Sequence, residues 1–154
     1  MSQPDTDAPY TESEIIMTTV RFVTPFVLTY GLFMTFHGAD SPGGGFQGGA
    51  LVGVVVLLLA FAFGARPTRE WIGNGLVTGL AAGGVLVFAG VGLAALRLGG
   101  NFLEYDRFVP LLGADGTKYG MEAIEIGGVS AIVAGVIMGL FFLTAAGYAG
   151  GENR

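Results

Sequence analysis

Four long stretches of almost uncharged, apolar sequence leave this chain very few folds to choose from. They run from about Ile15 to Phe36, Phe46 to Ala65, Trp71 to Leu96 and Ile126 to Gly150. Crossing the roughly 30 Å hydrocarbon core of a bilayer as a helix takes about 20 apolar residues, and each stretch has that length. The first carries one charge, Arg21, near enough to its start to reach the interface along its alkyl stem. It also contains Pro25, which removes a helical hydrogen bond and is expected to kink the helix. Closed barrels are the other structure that satisfies its own backbone in lipid, but their strands are shorter and alternate in polarity. The sequence therefore predicts an all-α integral membrane protein. Its four transmembrane helices should lie near 15–37, 46–65, 71–97 and 122–149, with glycine-rich packing faces.

Composition agrees and narrows the function classes. Only 12% of the 154 residues are charged, against about 25% in a soluble domain. A net charge of −5 argues against a nucleic-acid partner, which needs a basic face. Without cysteine there is no disulfide, thiolate metal site or Cys nucleophile, and a single histidine makes a His-based zinc site implausible. Residues 1–14 form a polar, acidic stretch expected to be a flexible tail, residues 15–150 the four-helix domain, and 151–154 a C-terminal tail. No basic region precedes the first apolar run, so that run is expected to stay in the mature protein. Four spans put both termini on one side. The positive-inside rule favours the cytoplasm for them, setting Arg21, Arg66, Arg69 and Arg154 against Arg97, Arg107 and Lys118.

The 28 glycines exceed what spanning requires. Many fall at helical spacing: Gly45, Gly49 and Gly53; Gly75, Gly79 and Gly83; Gly135 and Gly139. Such ridges let another helix approach closely. At least one is expected to face a different subunit, the plainer reading being that all serve packing within the chain.

The most unusual segment joins the first two helices. There Pro42, Gly43, Gly44, Gly45, Phe46, Gln47, Gly48 and Gly49 follow His37 and Asp40. One reading is a partly inserted loop that turns backbone carbonyls, with His37 and Asp40, toward a hydrated ion path. The other is a solvent-side turn packed on a neighbouring subunit. An imidazole can relay protons in general, which is the functional reading of His37, but capping the end of the first helix suits it better. Asp40 begins a turn as well as it binds a cation. Glu122 and Glu125, three residues apart, share one face at the start of the fourth helix. The helix dipole accounts for acids there. Glu125, however, borders the neutral run, where an ionisable group must be solvated or paired. A cation-attracting role is its functional reading, with Arg97, Arg107 and Lys118 as partners if the third loop folds back.

No nucleophile–base pair, metal-ligand pair or phosphate-cradling loop occurs at workable spacing, and the triple glycine lacks the Lys-Ser/Thr of a P-loop. Neither an enzyme nor a cofactor is expected. Sodium would be bound only in passing.

The stretch from His37 to Gly49, His-Gly-x-x-Ser-Pro-Gly-Gly-Gly-Phe-Gln-Gly-Gly, resembles the signature of the MnhB/MrpB family. These are small membrane components of Mrp-type multisubunit sodium/proton antiporters, with relatives in membrane-bound hydrogenase-type complexes. Pro110-Leu111-Leu112-Gly113 and Glu125-Ile126-Gly127 resemble two further family elements, and the likeness covers nearly the whole chain. The resemblance implies a multi-pass cell-membrane subunit that works with other membrane subunits in the exchange of sodium for protons. It implies a place in the sodium path, in assembly, or in both. The family pattern favours an uncharged residue at the position of Asp40, so that charge is this chain's own. The alternative is a purely structural subunit of a related redox-coupled complex. A stand-alone homo-oligomeric channel is a third reading.

Overall fold

A computed structural model describes residues 13–38 and 44–151, with side chains as far as 146. The expectations for the tails at 1–12 and 152–154, and for Asp40, Ser41, Pro42 and Gly43, lie outside the described residues. Four helices are long and apolar enough to cross a membrane, as the apolar runs require.

Helix α1 (Glu14–Phe36) opens at Ser13, whose hydroxyl accepts from the Ile16 N–H at 3.4 Å, and Glu14 complements the positive end of its dipole. It remains one helix through Pro25. The Thr29 hydroxyl donates to the Pro25 carbonyl at 2.7 Å, an ordinary back-bond to the residue one turn earlier. Helix α2 (Gly44–Phe63) begins two residues earlier than the apolar run suggested. It is the most enclosed of the four, because its glycines let α1 and the fourth span come close.

Helix α3 (Ala65–Arg97) departs from expectation at its start. The charged stretch 66–70 reads as a loop, yet it is helical: Gly64, at φ 96°, makes the whole turn, and Pro67 sits in the first turn where it costs no bond. The interruption falls instead at Gly73, at φ 71° and ψ 147°. Arg69 spans that break by donating to Asn74 Oδ1 at 3.2 and 3.3 Å. Charges do not end a helix; a backbone that only glycine readily adopts does.

A 3-10 turn (Tyr105–Phe108) and the short helices α4 (Val109–Leu112) and α5 (Gly116–Glu122) follow. Helix α5 runs on through a π-helical segment (Ala123–Ser130) into α6 (Ala131–Gly151). The fourth span thus starts at Gly116, six residues before the expected boundary at 122. Helix α2 lies between α1 and this fourth span, to which it runs parallel, while α3 packs on the span's other flank. The core cluster is Val56, Ala134, Met138 and Phe142, with Val52, Val77 and Leu80 against it.

The glycine ridges divide. A Cβ at Gly49 would come within 2.9 Å of the Ser130 Cα, and one at Gly53 within 2.9 Å of the Ile137 side chain. Gly135 holds the backbone of Ala81 as closely, at 2.7 Å, and Gly139 rests on Val77. The ridges of α2 and α6 therefore make the chain's own helix contacts. Gly75, Gly79 and Gly83 of α3 meet nothing within 4 Å and face outward.

Candidate functional site

Where α1 ends and α2 begins, the chain must fit beside the π segment, and only glycine leaves room. A Cβ on Gly44 would lie 2.8 Å from the Met34 carbonyl, and one on Gly38 3.0 Å from Glu125 Cβ. At Gly45 it would strike the Glu125 carboxylate and carbonyl, and at Gly48 it would strike the Thr35 hydroxyl. The motif residues Gly44, Gly45, Gly48, Gly49 and Gly53 are thus one continuous buried face of α2. Phe46 and Gln47 belong to the same helix and point the other way, exposed.

Glu125 Oε2 accepts the Gly45 N–H at 2.6 Å. Gly45 lies in the first turn of α2, whose N–H groups lack intrahelical partners and whose dipole presents partial positive charge. The carboxylate therefore caps a helix other than its own. This corrects the expectation that the dipole of the fourth helix would hold Glu125, since that helix begins nine residues earlier, at Gly116. A short charge-assisted bond of this kind is about twice as strong as a neutral one. Glu125 Oε1 makes no hydrogen bond among the described residues.

The π segment sets the register. Its i→i+5 bonding stacks residues five apart nearly over one another, where an α-helix would turn them to different faces. Glu125 and Ser130 are five apart, and they meet Gly45 and Gly49, which are four apart on α2. Below Glu125, Thr35 and Ser130 form a buried hydroxyl pair with 3.3 Å between oxygens. Thr35 donates to the Gly31 carbonyl at 2.9 Å, so Ser130 is left to donate to Thr35. Above it, burial and then the Glu125 charge hold the Tyr105 phenol above the usual tyrosine range.

The other expected residues disperse. His37 donates from Nδ1 to the Phe33 carbonyl at 3.0 Å and stacks on the Phe33 ring, the capping geometry. Glu122 turns to Lys118, 3.9 Å away and one turn back, rather than to the Glu125 site. Of the cations proposed to answer Glu125, Arg107 is taken by Glu104 at 2.9 Å. No three His, Asp or Glu side chains converge among the described residues.

Sequence reasoning missed Tyr105, Thr35 and Ser130. No spacing rule flags an acid and a serine five apart, because the pair aligns only in a π-helix. Tyr105 reaches the site through the fold of a loop.

The sequence model of a family described as "Domain related to MnhB subunit of Na+/H+ antiporter" matches residues 15–139. The chain is 30% identical over 102 residues to the B component of the Na(+)/H(+) antiporter of Alkalihalophilus pseudofirmus, covering 64% of this chain and 70% of that protein. It is 27% identical over 131 residues to the corresponding Na(+)/H(+) antiporter component of Bacillus subtilis, covering 83% and 90%. It is also 34% identical over 86 residues to an uncharacterized protein of Methanocaldococcus jannaschii, covering 53% of this chain and 32% of that protein.

Proposed function

The chain belongs to the MnhB family, and from that premise we propose that it is a membrane subunit of a multisubunit Na+/H+ antiporter in which Glu125 lines the cation path. One observation carries the site: the Glu125 carboxylate, at the edge of an uncharged span, held 2.6 Å from the Gly45 N–H. That bond and the α2 dipole stabilise an ionised carboxylate where lipid would otherwise disfavour it. Oε1 is the atom that receives a passing sodium ion or proton. Either one neutralises the group and weakens its hold on the α2 terminus, so occupancy couples to the position of Gly44 and Gly45. Sodium and protons are the transported ions in this reading, and the large neighbouring subunits carry the proton path.

We further propose that both termini are cytoplasmic, on the four-to-three balance of basic residues. The Glu125 site then opens to the outside, where sodium leaves.

The close-packed α2 ridge favours a second reading, an assembly subunit past which ions flow elsewhere. Alanine at Glu125 and at Asp40 separates the two. If sodium-dependent proton exchange falls while the amount of assembled complex holds, the carboxylate serves the path. If the complex itself is lost, the chain is a scaffold.

A further inference from the structure

The exposed half of the Pro-Gly-Gly-Gly-Phe-Gln motif is unaccounted for by the Glu125 site. We propose that Tyr30, Phe46 and Gln47 line a furrow that receives one transmembrane helix of another subunit, a helix carrying a hydroxyl, amide or carboxylate side chain. This rests on the reading of the chain as one subunit of a larger membrane complex.

The furrow follows from the crossing of α1 and α2. Gly31 and Gly48 bring the two backbones together, a Cβ on Gly48 lying 2.7 Å from the Gly31 carbonyl. Larger side chains then stand on either side: Tyr30 and Met34 from α1, and Phe46, Gln47, Leu51 and Val54 from α2. They enclose a furrow of about 430 Å³. Gln47 and Val54 lie on the side of α2 away from its glycines and are exposed among the described residues, while Leu51 is half-buried against Gly31 at the floor of the furrow. Tyr30 is 57% exposed and Phe46 60%.

Acyl chains fill apolar grooves, but not this one. Gln47 is the fourth residue of a 20-residue span, about 5 Å inside its end at 1.5 Å per residue. Tyr30 lies six residues before the end of α1, about 9 Å deep on the same scale. Its side chain leans toward the α1 N-terminus, as helical side chains do, and so away from that boundary. Among the described residues neither the Gln47 amide nor the Tyr30 hydroxyl has a hydrogen bond. Lipid tails offer none, and polar side chains in membrane helices serve as interhelical glue. Both groups can donate an N–H or O–H and both can accept, so a hydroxyl, amide or carboxylate side chain on the partner helix satisfies them. A hollow between two helices fits one convex helix. A second copy of this chain in a two-fold contact would set hollow against hollow.

The exposed ring of Phe46, at the mouth of the furrow, makes the test direct. A photoreactive p-benzoylphenylalanine replaces Phe46 in the assembled complex in native membranes, and the adducts are mapped by mass spectrometry. The expected adduct lies in a transmembrane helix of a different subunit, within one turn of a hydroxyl, amide or carboxylate side chain. In parallel, Gln47→Leu should lower the fraction of the chain that comigrates with the complex at least threefold. Adducts to lipid alone, adducts at twice the mass of this chain, or undiminished comigration of Gln47→Leu each overturn the proposal. Copurification of the wild-type chain with other subunits is scored first. If it fails, the subunit reading falls and the furrow proposal with it. If it succeeds and the furrow test fails, only the furrow proposal falls.

Discussion

Replacing Gly45 with alanine is the most informative single change to the chain's own packing. The added Cβ enters the space held by the Glu125 carboxylate and stands 3.0 Å from the Glu125 carbonyl carbon, so backbone as well as side chain must move. Overpacking of this kind costs about 1–3 kcal/mol. Displacing the carboxylate also breaks the 2.6 Å bond to the Gly45 N–H, and a hydrogen bond to a charged group is worth about 1.5–3 kcal/mol. Alanine's better helix propensity returns about 1 kcal/mol at most, less in a first turn. The net loss should be about 2–5 kcal/mol. Gly75→Ala is the internal control, because nothing lies within 4 Å of its added Cβ. It should be neutral or stabilise by up to about 1 kcal/mol. Both variants are compared with wild type by denaturant-driven unfolding of the complex in lipid nanodiscs. Equal stabilities for Gly45→Ala and Gly75→Ala would show that the α2 terminus does not pack on Glu125 and would refute the reasoning.

Three further outcomes follow from the same geometry. Glu125→Gln should lower the Tyr105 phenol pKa by removing the negative charge that raises it, while leaving it above the ordinary tyrosine range because burial is the larger cause. Site-labelled tyrosine NMR titration reads this, and an unchanged Tyr105 would contradict the proximity of the two groups. A double-mutant cycle of Thr35→Val and Ser130→Ala should return a coupling of about 0.6 kcal/mol and no more than about 1.7, the range of interhelical hydrogen bonds in membranes. A coupling of zero would mean the 3.3 Å contact is not a bond. Deleting Gly127 should restore α-helical pairing while Glu125 and Ser130, then four apart, stay on one face. Stability should therefore fall less than in Gly45→Ala, measured by the same unfolding assay.

The four spans were legible in the sequence because lipid demands long uncharged runs, and no other feature produces them. Their ends were less so. Charge at Arg66, Arg69 and Glu70 looks like a loop, yet the break is a matter of φ at Gly73, which no composition shows. The glycine ridges were legible as ridges, but Gly45, Gly49 and Gly53 have the same spacing as Gly75, Gly79 and Gly83. Which set faces inward depends on which helices are neighbours, and that is tertiary information. Glu125 stood out as an acid beside a neutral run. Its partner did not, because a backbone N–H eighty residues away has no side-chain signature. The π segment was equally silent, as its pairing reflects how Glu125 and Ser130 meet α2 rather than any residue preference.

The central claim is that the charge on Glu125, beyond its fit against Gly45, serves ion exchange. Glu125→Gln isolates that charge, since the amide oxygen retains the shape of the carboxylate and still accepts the Gly45 N–H. Sodium-driven proton exchange is measured in vesicles containing equal amounts of assembled wild-type and Glu125→Gln complex. The account predicts at least a tenfold loss of exchange in the variant, with assembly intact. Exchange at the wild-type rate would contradict it and leave Glu125 a packing residue.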